Sequence, residues 1–302
     1  MTVKRATLPF HIVDVFAVEP LTGNPLAVVD GGVDLTLDLF RRIAREFNQS
    51  ETTFVLPPTR PKADWRLRSF TAAGVEVFGA GGHNSLGAWW WLAEAGRLAL
   101  DGSSTQFHQE IGERVLPVTI SQAGGRLAHV VMQQEAPVAG RRVEGVAVLA
   151  ASLGLTASDV AVDRAPCQVM FTGAAHLMVP IRDHSAVDRI QPNAKALLAV
   201  LESVGAEGCY VFSMDPPHVG AAVYTRFFNP TVGIWEDPAT GTAAGPLAAH
   251  LVAHGLATPG QKLVIEQGTA MGRMSLIQVD VVADTVKVSG HCVIVASGLL
   301  TL

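Results

Sequence analysis

Two stretches of this sequence place acid–base side chains at the head of apolar, Ala-rich segments. Gly81-Gly82-His83-Asn84-Ser85 opens one, and Glu236-Asp237-Pro238-Ala239-Thr240-Gly241-Thr242 opens the other. A helix starting at either point leaves backbone N–H groups without intrahelical partners, and its dipole favours an anion there. Asn84 or Ser85 is available to cap the first helix, and Thr240 or Thr242 the second. His83 at such an end is expected to stay neutral, because a positive dipole end disfavours imidazolium. A neutral imidazole donates or accepts a hydrogen bond and can steady a developing enol. Taken singly, each residue has an ordinary reading: a helix-start glycine or threonine, a His bonded to backbone, an Asp shaping a loop before proline. If a pseudo-twofold brought the two ends together, they would line a cleft that receives a small carboxylate.

The elements that must position these groups come in two sets with the same punctuation. Thr22-Gly23-Asn24-Pro25-Leu26-Ala27-Val28-Val29 is echoed by Thr172-Gly173-Ala174-Ala175-His176-Leu177-Met178-Val179. A strand running into Pro57-Pro58 has a counterpart running into Pro216-Pro217, and Arg68-Ser69-Phe70 is followed in the second set by Arg226-Phe227-Phe228. Gly82 and Gly241 then open the helices, Gly96 and Gly255 stand where left-handed C-terminal caps belong, and Gly112 and Gly268 follow later strands. Between landmarks the segments are short, β-branched and often alternating, as strands are. Residues 84–95 and 242–253 are apolar nearly all round, so both helices must be enclosed. Segments 35–46 and 190–204 are amphipathic and are expected outside. The pattern predicts an α/β (α+β) fold of two pseudo-symmetric halves, each a barrel-like curved sheet around a central apolar helix. The halves are placed at 1–136 and 137–302, with a junction near Ala136 to Gly140 and a last strand free to cross back. Trp89, Trp90 and Trp91 point in three directions, so two are expected to brace strands and at most one to reach the cleft or a subunit contact.

Composition narrows the class. With 49% hydrophobic and 16% charged residues the chain can bury a substantial core, and a net charge of −5 with scattered Lys and Arg argues against a nucleic-acid partner. The opening MTVKRATLPFHIVDVF reads as a first strand rather than a signal peptide, and the apolar run near Trp89 to Ala93 is too short to span a bilayer. Cys167, Cys209 and Cys292 are odd in number and widely spaced, which fits neither a disulfide framework nor a metal site and suggests a cytoplasmic, reducing location. No dinucleotide fingerprint, P-loop or HExxH helix is present, so neither a cofactor nor a metal is expected.

Gln49-Ser50-Glu51-Thr52-Thr53-Phe54, Gly82-His83 and Glu236-Asp237-Pro238-Ala239-Thr240-Gly241 resemble the signature segments of the PhzF-like phenazine-biosynthesis family. The opening Val13-Asp14-Val15-Phe16 with Gly23-Asn24-Pro25 and the tail Glu266-Gln267-Gly268-Thr269-Ala270-Met271-Gly272-Arg273 are similar to it as well. The resemblance runs through most of the chain. It implies the diaminopimelate-epimerase-like fold, a homodimer, and a cofactor-independent isomerase acting on a small carboxylate. It implies Glu51 as the proton-transferring carboxylate, His83 and Asp237 as further catalytic groups, and Gly82, Asn84, Gly241 and Thr242 at the substrate. The family's named reaction is isomerisation of trans-2,3-dihydro-3-hydroxyanthranilate. Two departures are visible: Val-Phe-Gly-Ala-Gly-Gly between Glu76 and His83 is one residue longer than the family spacing, and Thr242 stands where serine is common. The first would shift His83; the second keeps a hydroxyl and adds a methyl.

The residues around Glu51 fit that role. Glu51 ends a polar pause, Asn48-Gln49-Ser50, directly before a strand, and counting from the landmarks makes Tyr210 its counterpart. A racemase reading with two opposed cysteines fails, because no cysteine stands at either helix start. Direct acid–base transfer by Glu51 on a cyclic carboxylate is therefore expected, in a closed cleft that raises its pKa. The rivals are an isomerase or epimerase for another amino-acid-like carboxylate, and a non-catalytic small-molecule-binding protein of the same fold.

Overall fold

The computed structural model describes residues 7–79 and 82–302. Ala80 and Gly81, within the segment before His83 that is one residue longer than the family spacing, lie outside the described residues, as do the first six residues of the expected opening strand. The chain divides into two compact units: one runs up to Met132 and includes Ser289–Leu302, the other is Gln133–Val288. The expected junction at Ala136 to Gly140 lies just beyond the first break.

The first unit contains β1 (Thr7–Val15), β2 (Asn24–Asp30), α1 (Leu37–Phe47), β3 (Glu51–Leu56), β4 (Trp65–Thr71), β5 (Glu76–Val77), α2 (His83–Glu94), β6 (Ser104–Ile111), β7 (Arg114–Ala123) and most of β8 (Arg126–Gln134). The second holds β9 (Val138–Arg142), α3 (Val146–Ser152), β10 (Gln168–Phe171), β11 (Ala175–Pro180), α4 (His184–Asp188), α5 (Ala194–Val204), β12 (Gly208–Ser213), β13 (Val223–Asn229), β14 (Ile234–Asp237), α6 (Gly241–Ala253), β15 (Leu263–Gln267), β16 (Ser275–Val282) and most of β17 (Thr285–Gly290). The last strand, β18 (Cys292–Thr301), pairs antiparallel with β1 and belongs to the first unit.

The two units repeat one pairing scheme. In the first, β1 and β2 are antiparallel, β2 and β3 parallel, β3 and β4 antiparallel, β4 and β6 parallel, and β6 and β7 antiparallel. In the second, β10–β11, β11–β12, β12–β13, β13–β15 and β15–β16 follow the same sequence of directions. One helix is enclosed in each. Residues His83 to Leu92 of α2 are all buried, and α2 packs on β1, β2, β3, β4 and β18. In α6 only Thr242 and Val252 keep partial exposure between Gly241 and Val252, and the helix packs on β10, β11 and β16. The amphipathic α1 covers the other face of β3 and β4, where Phe40, Ile43 and Ala44 meet Val29, Phe54 and Phe70. In the second unit Leu197 and Leu201 of α5 pack in the same way with Leu177, Cys209, Val211 and Phe228.

Trp89 and Trp91 brace strands, and Trp90 packs on the link between β17 and β18. Trp89 donates to Gln109 on β6 and stacks on Phe107, Trp90 meets the His291 ring at 4.4 Å, and Trp91 lies against His11 of β1. They are at most 3% exposed. Among the described residues no helix is long and apolar enough to cross a membrane.

Close approach replaces side chain at one helical glycine. A Cβ on Gly245 would lie 1.8 Å from Gln134 Oε1. Gln134 occupies that gap: its Nε2 donates to the Gly241 carbonyl at 2.9 Å and its Oε1 accepts from Thr172 at 2.7 Å. Gly245→Ala is expected to cost about 1–3 kcal/mol by forcing Gln134 aside, despite alanine's better helix propensity. Urea denaturation checks this; a stabilised variant would contradict it.

Candidate active site

The turn out of α1 delivers Glu51. Asn48 takes a left-handed conformation (φ 50°) and its N–H closes on the Ala44 carbonyl, so Gln49 and Ser50 carry the chain directly into β3. Strand alternation then sorts the side chains. Phe54 faces α1, whereas Glu51 and Thr53 face the start of α2. Thr53 shares a 2.8 Å hydrogen bond with Ser69 of β4, and Asn84 Nδ2 donates to the same Ser69 hydroxyl at 3.2 Å. These bonds fix the first turn of α2 to the sheet, so Asn84 spends its amide donor on the scaffold. Gly82 is the N-cap, and no side-chain hydrogen bond caps the helix; Asn84 and Ser85 are already its second and third residues.

This fixing brings His83 Nε2 to 3.2 Å from Glu51 Oε2. The approach is close enough for an ion pair, yet its direction misses that of a hydrogen bond, since Oε2 accepts none. The side chains are 8% and 19% exposed, and Oε2 itself is shut off from solvent. Burial pushes the Glu51 carboxyl up to about 7. Desolvation disfavours the charged form, and no hydrogen bond to Oε2 compensates. A carboxyl held there is divided between acid and base near neutral pH, as a group that must both take and return a proton should be.

A stability consequence follows. The folded-state pKa of about 7 exceeds the ordinary 4.5, so the folded protein binds this proton more tightly between those values. The contribution is present in full below pH 4.5 and is lost as pH rises through 7, a swing of about 3 kcal/mol at most. Glu51→Gln is therefore expected to be more stable than the native chain at pH 8, with the gap closing by pH 4. Denaturant midpoints at the two pH values check this; a pH-independent gap would contradict it.

In the second unit the Asp237 loop is tied down from below. Asp237 is 7% exposed and ends β14. Thr240 stands at the N-cap position of α6 but does not cap; its hydroxyl donates to Asp237 Oδ2 instead. Thr242, half-buried in the first turn, does not cap either. Gly241 is the first helical residue, so its place matches His83, and Gly82 matches Thr240. Gln267 Nε2 donates to the Asp237 carbonyl at 2.7 Å and to Thr240 Oγ1 at 3.1 Å, while its Oε1 accepts from Thr240 N at 3.1 Å. Ser275 Oγ donates to the Pro238 carbonyl at 2.8 Å. Gly268 (φ 79°) lets the chain pass beneath: a Cβ there would stand 2.5 Å from that carbonyl. Gln267 and Tyr210, which donates to it at 2.8 Å, were not singled out as site residues from the sequence; the signal was Gln267 beside Gly268 in the tail motif.

Strand registers correct the counterpart of Glu51. Glu51 pairs with Leu26 on β2, and on the matching strands Gly208 pairs with His176. Arg68 pairs with Phe54 and Arg226 with Val211, which gives the same answer from the other side. Glu51 thus corresponds to Gly208, where a Cβ would meet Phe227 at 2.5 Å, and Tyr210 corresponds to Thr53. The first unit alone carries a carboxylate at this place. The three cysteines are buried, and burial raises all three thiols, Cys167 to about 12.

Residues 13–298 match the family model for phenazine biosynthesis-like proteins, PhzC-PhzF. The chain belongs to that family. Among curated proteins, it is 34% identical to the trans-2,3-dihydro-3-hydroxyanthranilate isomerase of Pseudomonas chlororaphis, covering 97% of this chain and 99% of that one. Among solved structures, it is similar to a Bacillus anthracis phenazine biosynthesis protein of the PhzF family, with a TM-score of 0.89, 26% identity, and coverage of 98% of this chain and all of that one. A hydroxyproline epimerase from Agrobacterium vitis shares the fold, with a TM-score of 0.66 at 16% identity over all of this chain and 93% of that one. The PhzF-family chain described here is an isomerase with the epimerase-like fold.

Proposed function

We propose that this chain catalyses a cofactor-independent isomerisation in which Glu51 removes a proton from an acidified carbon of a small cyclic carboxylate and returns it elsewhere on the same face. The observation that carries the proposal is the buried Glu51–His83 pair at 3.2 Å, with the carboxyl raised to about 7. His83 would steady charge that develops on the substrate as the proton leaves, and the uncapped N–H groups of α2 would bind its anionic group. Gly82, Asn84, Gly241 and Thr242 are proposed at the substrate, the two glycines offering backbone close to the helix starts. Asp237, held by Thr240, is proposed as a further acid–base group needed for turnover.

Trans-2,3-dihydro-3-hydroxyanthranilate is the proposed substrate, on the strength of the relatives at 34% identity that bear its name. A cytoplasmic homodimer completes the reading and rests on family resemblance and cysteine usage. The test is to mix this compound with the purified protein in deuterated buffer and follow it by proton NMR. Conversion with solvent deuterium appearing in the product supports proton transfer on this substrate. Binding without conversion or exchange would overturn it in favour of a non-catalytic binding protein.

A further inference from the structure

Gln267 ends β15 beneath the Asp237 loop, and both ends of its amide are engaged. Two of its partners can play only one role, since a backbone N–H donates and a carbonyl accepts. Thr240 N–H therefore faces Oε1 and the Asp237 carbonyl faces Nε2, which fixes the orientation of the amide. Direction then propagates along the chain. Thr240 Oγ1 accepts from Nε2, so its single proton goes to Asp237 Oδ2. At the other end Tyr210 gives its proton to Oε1, and the Thr225 hydroxyl stands 3.0 Å from the Tyr210 oxygen and 2.8 Å from the Glu266 carbonyl. Burial holds the Tyr210 phenol above its ordinary range, which keeps it a donor.

The first unit shows what the fold itself requires at these places. Its registers put Val77 where Asp237 stands, Ile111 where Gln267 stands, Leu67 for Thr225 and Thr53 for Tyr210. Leu67 and Ile111 are 1% exposed, and their counterparts Thr225 and Gln267 are fully buried. An aliphatic pair thus builds the same strand junction without desolvating a hydroxyl and an amide. The polar chain in the second unit is an addition to the fold, and it leads to one carboxylate.

We infer that Gln267 is a positioning residue, which acts through Thr240 to hold the Asp237 carboxylate in one orientation with Oδ2 as an acceptor. The inference rests on the reading in which Asp237 takes part in turnover. Its test compares Gln267→Leu, Thr240→Val, Thr240→Ser and the double variant Thr240→Val/Gln267→Leu in the full chain, with trans-2,3-dihydro-3-hydroxyanthranilate as substrate. Gln267→Leu and Thr240→Val should each lower kcat about 10- to 100-fold with little change in KM, the range of a hydrogen bond to a charged group. Thr240→Ser, which keeps the hydroxyl, should stay near native. The double variant should be no slower than the slower single, because both changes remove the same effect. Losses that multiply, or that fall mainly on KM, would overturn the inference. If Gln267→Leu does not fold, Gln267→Met keeps the length of the side chain and removes the donor, and the same outcomes apply.

Asp237→Asn separates this inference from the reading beneath it. A fully active Asp237→Asn variant overturns both. An inactive one beside an active Gln267→Leu overturns only the positioning role. A crystal structure of Gln267→Leu tests it without turnover: the Asp237 carboxylate should leave Thr240, and an unchanged Asp237–Thr240 bond would contradict the inference.

Discussion

Glu51→Gln is expected to lose about 10²- to 10⁴-fold in turnover while keeping its fold, the share that general acid–base catalysis contributes. The amide keeps the size and planarity of the carboxyl and its place at the head of β3, but it cannot take a proton near neutral pH. Packing should change little, because Thr53, Ser69 and Asn84, rather than Glu51, tie α2 to the sheet. Rates by proton NMR and melting curves on the same preparations check this. A fully active variant would remove Glu51 from the mechanism, and an unfolded one would show that the carboxyl is structural.

The largest effect on stability is expected at Arg226. Its Nε and Nη2 form a fork with Glu236, both contacts at 2.8 Å, and Nη1 donates to the Val187 and Ile190 carbonyls at 2.9 and 3.0 Å. Arg226 is 9% and Glu236 10% exposed on their side chains, and the guanidinium also lies over the Phe228 ring. Arg226→Met leaves a carboxylate and two carbonyls without that donor in a site closed to most solvent, which is expected to cost about 3–5 kcal/mol. Arg68 makes the same fork with Glu76, but there the side chains are 20% and 21% exposed, so Arg68→Met should cost less. Replacing Glu236 by Leu alongside Arg226→Met should recover part of the loss, because the stranded charge goes too. Denaturant titrations of the set check the order; equal costs at the two arginines would contradict the burial argument.

The features legible in the sequence were those set by local chemistry. A helix apolar on every side has to be enclosed, and both α2 and α6 are. Punctuation by glycine and proline exposed the repeat, because turns and helix ends need those residues wherever the fold is copied. The recurrent arginine of Arg68-Ser69-Phe70 and Arg226-Phe227-Phe228 marks the two carboxylate forks, although the glutamates that complete them were not visible as partners.

Counting along the chain failed where lengths compensate. Arg226 and Glu236 are ten residues apart, whereas Arg68 and Glu76 are eight apart, so the second hairpin is longer. Its segment from Asp237 to the head of α6 is shorter than that from Val77 to the head of α2. Pro58 to Gly82 and Pro217 to Gly241 both span 24 residues, which conceals both changes, so counting matches Tyr210 to Glu51 where the register pairs it with Thr53. The caps failed for a different reason. Thr240 has the right side chain in the right place, but its hydroxyl is turned to Asp237 and its oxygen accepts from Gln267 Nε2 rather than from a helix N–H, a competition that propensity does not contain. Asn84 fails by position: the helix starts at His83 with Gly82 as its N-cap, so Asn84 is already inside the first turn.

The titration of the Glu51 carboxyl itself tests the central claim most directly. Protein labelled with ¹³C at the glutamate side-chain carboxyl, with Glu51→Gln to assign the resonance, should show Glu51 titrating near pH 7, well above the ordinary carboxyl value of 4.5. A Glu51 midpoint at or below 4.5 would mean that the carboxylate stays ionised through neutral pH, and it would contradict its assignment as the group that takes and returns the proton.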